Sequence, residues 1–255
     1  MIIILEGKYL SNLDKKIIKF TPTYPNEEFL SMLTPPVEAS KKIPQWYKDL
    51  CSYGGTSTDL KDLMPVNDRS SDGSNVSTKL CLPFLDSMLS GYIYSFEDDL
   101  TVELDSDGSP NFYWTKDFGM MDKRFEVDMA IPDNVYPVQF GIKMNWYYET
   151  PPGYSLLFTH PFNRPELPFY VPSGIVDSDI WGLPIFIPFF IKRGFEGVIK
   201  AGTPLIQMLP IKREPWSIEI DSSKESIERN KIREEKRRSH ITAHYKKTTW
   251  QRKQY

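Results

Sequence analysis

Few residues in this chain have the types and spacing that chemistry requires. An acidic pair, Asp177 and Asp179, stands in Gly174-Ile175-Val176-Asp177-Ser178-Asp179-Ile180-Trp181-Gly182. That segment reads as a tight β-hairpin turn followed by an apolar strand. Aspartates in such turns commonly bond nearby backbone, so a structural role competes with any catalytic one. His240 and His244 lie at i,i+4, a spacing that can hold zinc on a helix. They lack a nearby third ligand such as the glutamate of HExxH, and a solvated basic face is the simpler reading. His160 follows an apolar strand and precedes Pro161, the setting of a structural strand-end residue. Ser173 is not in a Gly-x-Ser-x-Gly elbow, so a hydrolase triad has no support. Cys51 and Cys81 have no CxxC partner and no histidine near them in sequence. Reduced, partly buried thiols are expected there, and a metal site is not. A Walker loop, a GxGxxG and an HxE…CxxC deaminase signature are all missing from the sequence.

Charge is divided unevenly. The net charge of −3 conceals a C-terminal stretch, residues 222–255, with eleven Lys/Arg against four Glu, a net of +7. The first 221 residues therefore carry −3 − 7 = −10. A basic tail on an acidic body can attract nucleic acid or another copy of the body. Tyr245, Trp250 and Tyr255 interleave with the basic residues, which adds stacking to phosphate neutralisation.

The elements that must position these residues are mostly strands. The 255 residues, 40% hydrophobic, can bury a sizeable core. The 21 prolines and 14% aromatics favour short strands joined by turns. Residues 2–5 and 16–20 read as strands. A helix is expected to start at Asn26 and to end before Pro35-Pro36, and another short one over 42–50 with Pro44 in its first turn. Trp46 and Tyr47 are expected to anchor packing. Residues 54–77, rich in Ser, Asp, Gly and Asn, read as a loop. A short helix over 81–89 should enter a strand over 92–96. Residues 101–104 and 111–114 read as a hairpin around the turn Asp105-Ser106-Asp107-Gly108-Ser109-Pro110. One alternating strand is expected over 140–149 and another over 154–159. The run Ile185-Phe186-Ile187-Pro188-Phe189-Phe190-Ile191 suits a strand with Pro188 at a bulge or unpaired position. Short strands follow over 195–199 and 204–211. Asp221 and Ser222 should cap a helix running to Arg238, supported by a Lys231/Glu235 ion pair.

Order and spacing between residues 151 and 214 resemble the trimeric dUTPase and dCTP deaminase families. Pro151-Pro152-Gly153-Tyr154-Ser155-Leu156-Leu157, the Gly174 to Asp179 segment and Ala201-Gly202-Thr203-Pro204-Leu205-Ile206-Gln207 carry the likeness, and Phe162-Asn163-Arg164-Pro165 matches poorly. The resemblance implies that Asp177 orients or activates an attacking water, a role suited to a carboxylate. It also implies a nucleotide contact at the positions of Arg164, Ile180 and Gln207. The family's sugar-packing tyrosine is replaced by Ile180, and no glycine follows Gly202 to form the family's phosphate-closing segment. The whole chain is also similar to an uncharacterised family associated with tailed phages. The residues carrying that likeness include Lys42-Ile43-Pro44-Gln45-Trp46-Tyr47, Gly194-Phe195-Glu196-Gly197 and Trp250-Gln251-Arg252-Lys253.

The expected fold class is mainly β: a dUTPase-like jelly-roll or β-clip core with short helices and a helical basic C-terminal tail. Residues 1–77 form an N-terminal extension, 78–220 the β core and 221–255 the charged tail. The leading functional expectation is a phage-encoded, non-enzymatic structural or interaction protein, oligomeric, with no cofactor and no metal. The alternative is a nucleotide-binding or nucleotide-hydrolysing enzyme using Asp177, with Mg²⁺. A third reading is a nucleic-acid-associated protein acting through Arg237, Arg238, Lys246, Lys247, Trp250, Arg252 and Lys253. Expected partners are further copies of the chain, with a trimer as the arrangement the resemblance implies, and virion or other phage proteins. No apolar run reaches membrane length and the N-terminus lacks a basic n-region, so host cytoplasm or virion is the expected location.

Overall fold

Short aromatic and β-branched runs, broken by proline and glycine, fold here into four antiparallel sheets. The computed structural model describes residues 16–24, 26–50, 78–114, 121–124, 129–238, 245 and 249–251. The strand expected over 2–5, the loop over 54–77 and the pair His240 and His244 lie outside the described residues. In chain order come β1 (Lys19–Pro22), α1 (Glu27–Met32), β2 (Val37–Glu38) and α2 (Gln45–Asp49). Next are α3 (Leu82–Leu89), β3 (Tyr92–Ser95), β4 (Leu100–Leu104), β5 (Pro110–Trp114) and β6 (Met121–Arg124). Then follow β7 (Gln139–Lys143), β8 (Trp146–Glu149), β9 (Tyr154–Thr159) and β10 (Phe169–Tyr170). The last elements are β11 (Gly174–Val176), β12 (Phe186–Ile191), β13 (Gly197–Ile199), β14 (Pro204–Lys212) and α4 (Lys224–Arg238).

The helix ends follow local chemistry. Asn26 caps α1 by accepting from the Glu28 N–H at 2.9 Å, and Glu27 and Glu28 sit favourably in its first turn. Pro44 stands at the start of α2, and Tyr47 is buried against Phe84 with ring centroids 6.1 Å apart. At the other end of the chain, Ser223 rather than Ser222 caps α4. The Ser223 Oγ accepts from the Ser226 N–H at 3.2 Å, while Asp221 accepts from the Ser223 N–H at 2.9 Å. Lys231 pairs with Glu228 at 3.7 Å, one turn back, in place of the expected Glu235. Both partners are well exposed, so the pair contributes little.

The largest sheet has the order β11-β9-β14-β3-β2. Beside it are β10-β12-β7-β6, the three-stranded β13-β4-β5 and the two-stranded β1-β8. The first segment of the chain thus adds strands to the body, through β1 on β8 and β2 on β3. Phe189 sits where three sheets meet. Its ring contacts Phe96, Phe112, Phe140 and Phe169 at centroid distances of 5.9, 5.6, 5.8 and 6.2 Å. All five rings are buried. Edge-to-face pairs of this kind add ~0.5–1.5 kcal/mol each beyond area burial.

Four expectations change on this frame. Residues 140–149 are two strands, not one, because the chain turns at Met144-Asn145 and the two halves join different sheets. The Asn145 Nδ2 donates to the buried Glu97 carboxylate at 2.6 Å, and Trp146 Nε1 donates to it at 3.3 Å. Burial raises the Glu97 pKa, with those two N–H donors opposing the rise. The acidic segment after Gly174 is not a hairpin, since β11 and β12 belong to different sheets. Pro188 lies in register opposite Gly141 without a bulge, and β10 reaches only as far as Phe190 on its other side. The bulge falls instead in β14, between Pro204 and Ile206. Cys81 is exposed rather than partly buried. No helix among the described residues is long and apolar enough to cross a membrane.

Gly91 joins α3 to β3 at φ +69°, and a Cβ there would lie 2.1 Å from the Met208 carbonyl oxygen in β14. Gly91→Ala should therefore cost at least ~2 kcal/mol in urea denaturation. Gly108→Ala, at φ +79° but with open space around it, should cost about half as much. Equal costs would show that the close approach of β14 is not the constraint at Gly91.

Candidate functional site

The acidic pair is placed by β9, which pairs with β11 on one side and β14 on the other. Leu156 faces both Val176 and Pro210, so the end of β11 and the end of β14 flank the start of β9. The chain then turns over Asp177, whose carbonyl accepts from the N–H groups of Ile180 and Trp181 at 3.0 and 2.8 Å. Arg213, the residue after β14, reaches across this end of the sheet. Its guanidinium forks onto Asp179, with Nη1 donating to Oδ1 at 2.9 Å and Nη2 donating to Oδ2. Nη1 also lies 3.3 Å from Asp177 Oδ1 and donates to Ser155 Oγ at 3.0 Å and to the Tyr154 carbonyl at 3.1 Å.

The rest of the turn is bonded into the same cluster. Ser155 Oγ donates to Asp177 Oδ1 at 2.7 Å. The Gly153 N–H donates to Asp179 Oδ2 at 2.7 Å. Beneath them, the Thr150 and Ser178 hydroxyls share a bond of 2.7 Å. The Asp179 side chain is only 8% exposed, whereas that of Asp177 is 56% exposed. The Arg213 guanidinium first, and the Gly153 N–H after it, hold the Asp179 carboxyl down at about 2. A carboxylate engaged in this way is a structural acceptor. A general base needs a lone pair directed at water or substrate; Asp177 Oδ1 is shared by Ser155 and Arg213, while the Asp177 side chain as a whole stays open to solvent.

Of the other expected site residues, Gln207 and Arg164 do not join the acidic pair, whereas Ile180 follows it directly. Gln207 is buried in β14, where its Nε2 donates to the carbonyls of Ser87 and Ser90 at 2.9 and 2.6 Å. Its Oε1 accepts from the Phe162 N–H at 2.9 Å. Arg164 pairs with Glu166, and its Nη1 donates to the Lys42 carbonyl at 3.1 Å. Arg164 and Gln207 do line one cavity together, but its volume is about 10 Å³, room for about one water. Ile180 points into solvent, 81% exposed. His160 is part-buried beside the Arg164 carbonyl at 3.3 Å, and burial lowers its pKa. Ser173 shares a hydroxyl bond of 2.8 Å with Thr159.

In the tail, Arg237 and Arg238 end α4, and Lys246, Lys247, Arg252 and Lys253 lie outside the described residues. The Trp250 indole N–H donates to the Asp86 carboxylate on α3 at 3.2 Å, which ties this point of the tail to the body. Among the described residues, no three His, Cys, Asp or Glu side chains converge as a metal group would require.

Sequence reasoning missed Arg213 and Ser155. Arg213 stands 34 positions beyond Asp179, and only the double pairing of β9 brings them together. The local signal was a charged Lys212-Arg213-Glu214 at the end of an apolar strand, which reads as ordinary surface. Comparison with protein-family models finds no match, and comparison with curated proteins finds no significant one.

Two outcomes follow. Gln207→Leu keeps the volume but orphans the Phe162 N–H and two carbonyls, so it should lose ~2–4 kcal/mol in chemical denaturation. A neutral result would show the amide is dispensable. Asp179 has a folded pKa below its unfolded value of ~3.9, so its contribution is present above that value and lost as pH falls towards about 2. Asp179→Asn should flatten the acid limb of the stability profile, and Arg213→Ala should move the Asp179 carboxyl titration upward in carbon-detected NMR. An unmoved titration would sink the role of Arg213.

Proposed function

We propose that this chain is a non-enzymatic structural or interaction protein that works as a homo-oligomer. On this reading its scaffold is of the dUTPase-like jelly-roll or β-clip kind, and its setting is a tailed phage, as the whole-chain resemblance implies. The observation that carries the non-enzymatic reading is the Arg213 fork on the acidic pair. It occupies Asp179 fully and draws on the same oxygen of Asp177 that Ser155 bonds. The commitment of Gln207 and Arg164 to backbone groups supports it further. Virion or other phage proteins are the partners of such a role, in the host cytoplasm or the virion.

One observation favours the enzyme alternative. The Asp177 side chain is 56% exposed and adjoins the open Ile180, so a neighbouring subunit could complete a nucleotide cleft there. Thermal unfolding of the purified chain with dUTP, dCTP, other nucleotides and Mg²⁺ separates the two. The structural reading expects an unchanged melting temperature throughout. A ligand that binds only the folded state, at 100 times its dissociation constant, would add ~2.7 kcal/mol. A clear shift with one deoxynucleotide, lost in Asp177→Asn, would replace the structural reading with the enzymatic one.

A further inference from the structure

Beyond β14 the chain leaves the sheet as an arm. Residues 213–220 are exposed at every position and pair with no strand among the described residues. Side chains two apart in an extended segment share a face. Trp216, Ile218 and Ile220 alternate with Ser217, Glu219 and Asp221 and are 88%, 93% and 88% exposed, so on pairing as a strand the segment presents its three large apolar side chains on one face. A row of large apolar side chains in water, rimmed by polar ones, marks an interaction surface.

A second such surface lies near the root of the arm. β11 is the edge of its sheet, and its outer backbone has no partner among the described residues. Ile175 on that edge, Ile180 and Trp181 in the turn, and Leu183 and Phe186 beyond it are all exposed. The arm starts beside this patch, since Arg213 is bonded to Asp179. It does not cover the patch, because both surfaces remain open in the folded chain.

We propose that the arm of one copy, residues 214–220, lies along the β11 edge and the Ile180–Trp181–Leu183 patch of a second copy. Every copy carries both surfaces, so exchange closes a dimer or ring without any further partner. An extended apolar arm added to an open strand edge gains ladder bonds and side-chain pockets together. The arm leads into the +7 segment at 222–255, and the receiving body carries −10, so the charge that follows the arm is opposite in sign to the body that receives it. In a reciprocal dimer each copy contributes three arm and five patch side chains, and these eight, at on the order of 100 Å² each, approach the ~800 Å² per partner of a standard interface. The inference deepens the structural reading and rests on it in taking the partner to be another copy.

Native mass spectrometry and light scattering on the full chain test it with two double variants. One changes the arm, Trp216→Asp with Ile218→Asp. The other changes the patch, Ile180→Asp with Trp181→Asp. All four side chains are exposed, and an unchanged circular dichroism melt of the dilute protein confirms folding. The native chain is expected to be oligomeric, and each variant alone to be monomeric, with its dissociation constant raised at least ~100-fold. Mixing the two variants should restore association, because the arm variant still offers a patch and the patch variant still offers an arm. A native oligomer unaffected by either variant, or no association on mixing, overturns the arm exchange and leaves self-association standing. A monomeric native chain overturns both.

Discussion

Phe189 is the point on which the packing of this chain turns. A phenyl ring buried among four others can be satisfied only if the strands that carry them converge. Phe112 comes from the β4–β5 hairpin, Phe140 from β7, Phe169 from β10, and Phe96 from the end of β3. These strands belong to three sheets, so the ring contacts fix how the sheets stack as well as holding them together. Aromatic pairs prefer tilted or edge-on approach, and most of the pairs in this cluster are edge-on. The angular preference is a constraint that a purely aliphatic core would lack.

Gln207 supplies a different constraint, of direction rather than bulk. A buried amide is costly unless its donors and acceptor are all met. Here one side chain serves the end of α3 twice and the loop after β9 once. A one-residue slip of β14 would turn Gln207 to the other face and strand those groups. The amide therefore helps hold the β9–β14 register, and that register carries Arg213 to the acidic turn. The ion pair at one end of the sheet thus depends on a neutral hydrogen-bond network further along the same strand.

The acidic turn and the arm share that end of the molecule. Arg213 ties down Asp179 and at the same time marks where the chain departs from the body. Its charge is spent within the chain, while the apolar side chains on either side of it are left uncovered. That balance of a satisfied ion pair and uncovered apolar side chains is the basis of the proposal that this surface meets another copy of the chain.

Much of the local architecture was legible in the residues. The Asn26 cap, Pro44 at the head of α2, the β4–β5 hairpin and the strand over 154–159 follow from capping, proline geometry, turn residues and alternation, all of which act within a few positions. The break at Asn145 was not legible, because the carboxylate its amide bonds there, Glu97, lies 48 positions away. The split of β11 from β12 was hidden likewise, as an apolar run after a turn reads the same whether it pairs back or joins another sheet. The sequence by itself determined which segments extend, where helices start and that acid gathers in the body and base in the tail. Only the tertiary structure decided that Arg213 would meet Asp179, that Gln207 would serve backbone rather than ligand, and that Trp216, Ile218 and Ile220 would stand uncovered. Periodicity specifies which face of a strand is apolar, whereas the choice of its neighbours is made by packing across the whole chain.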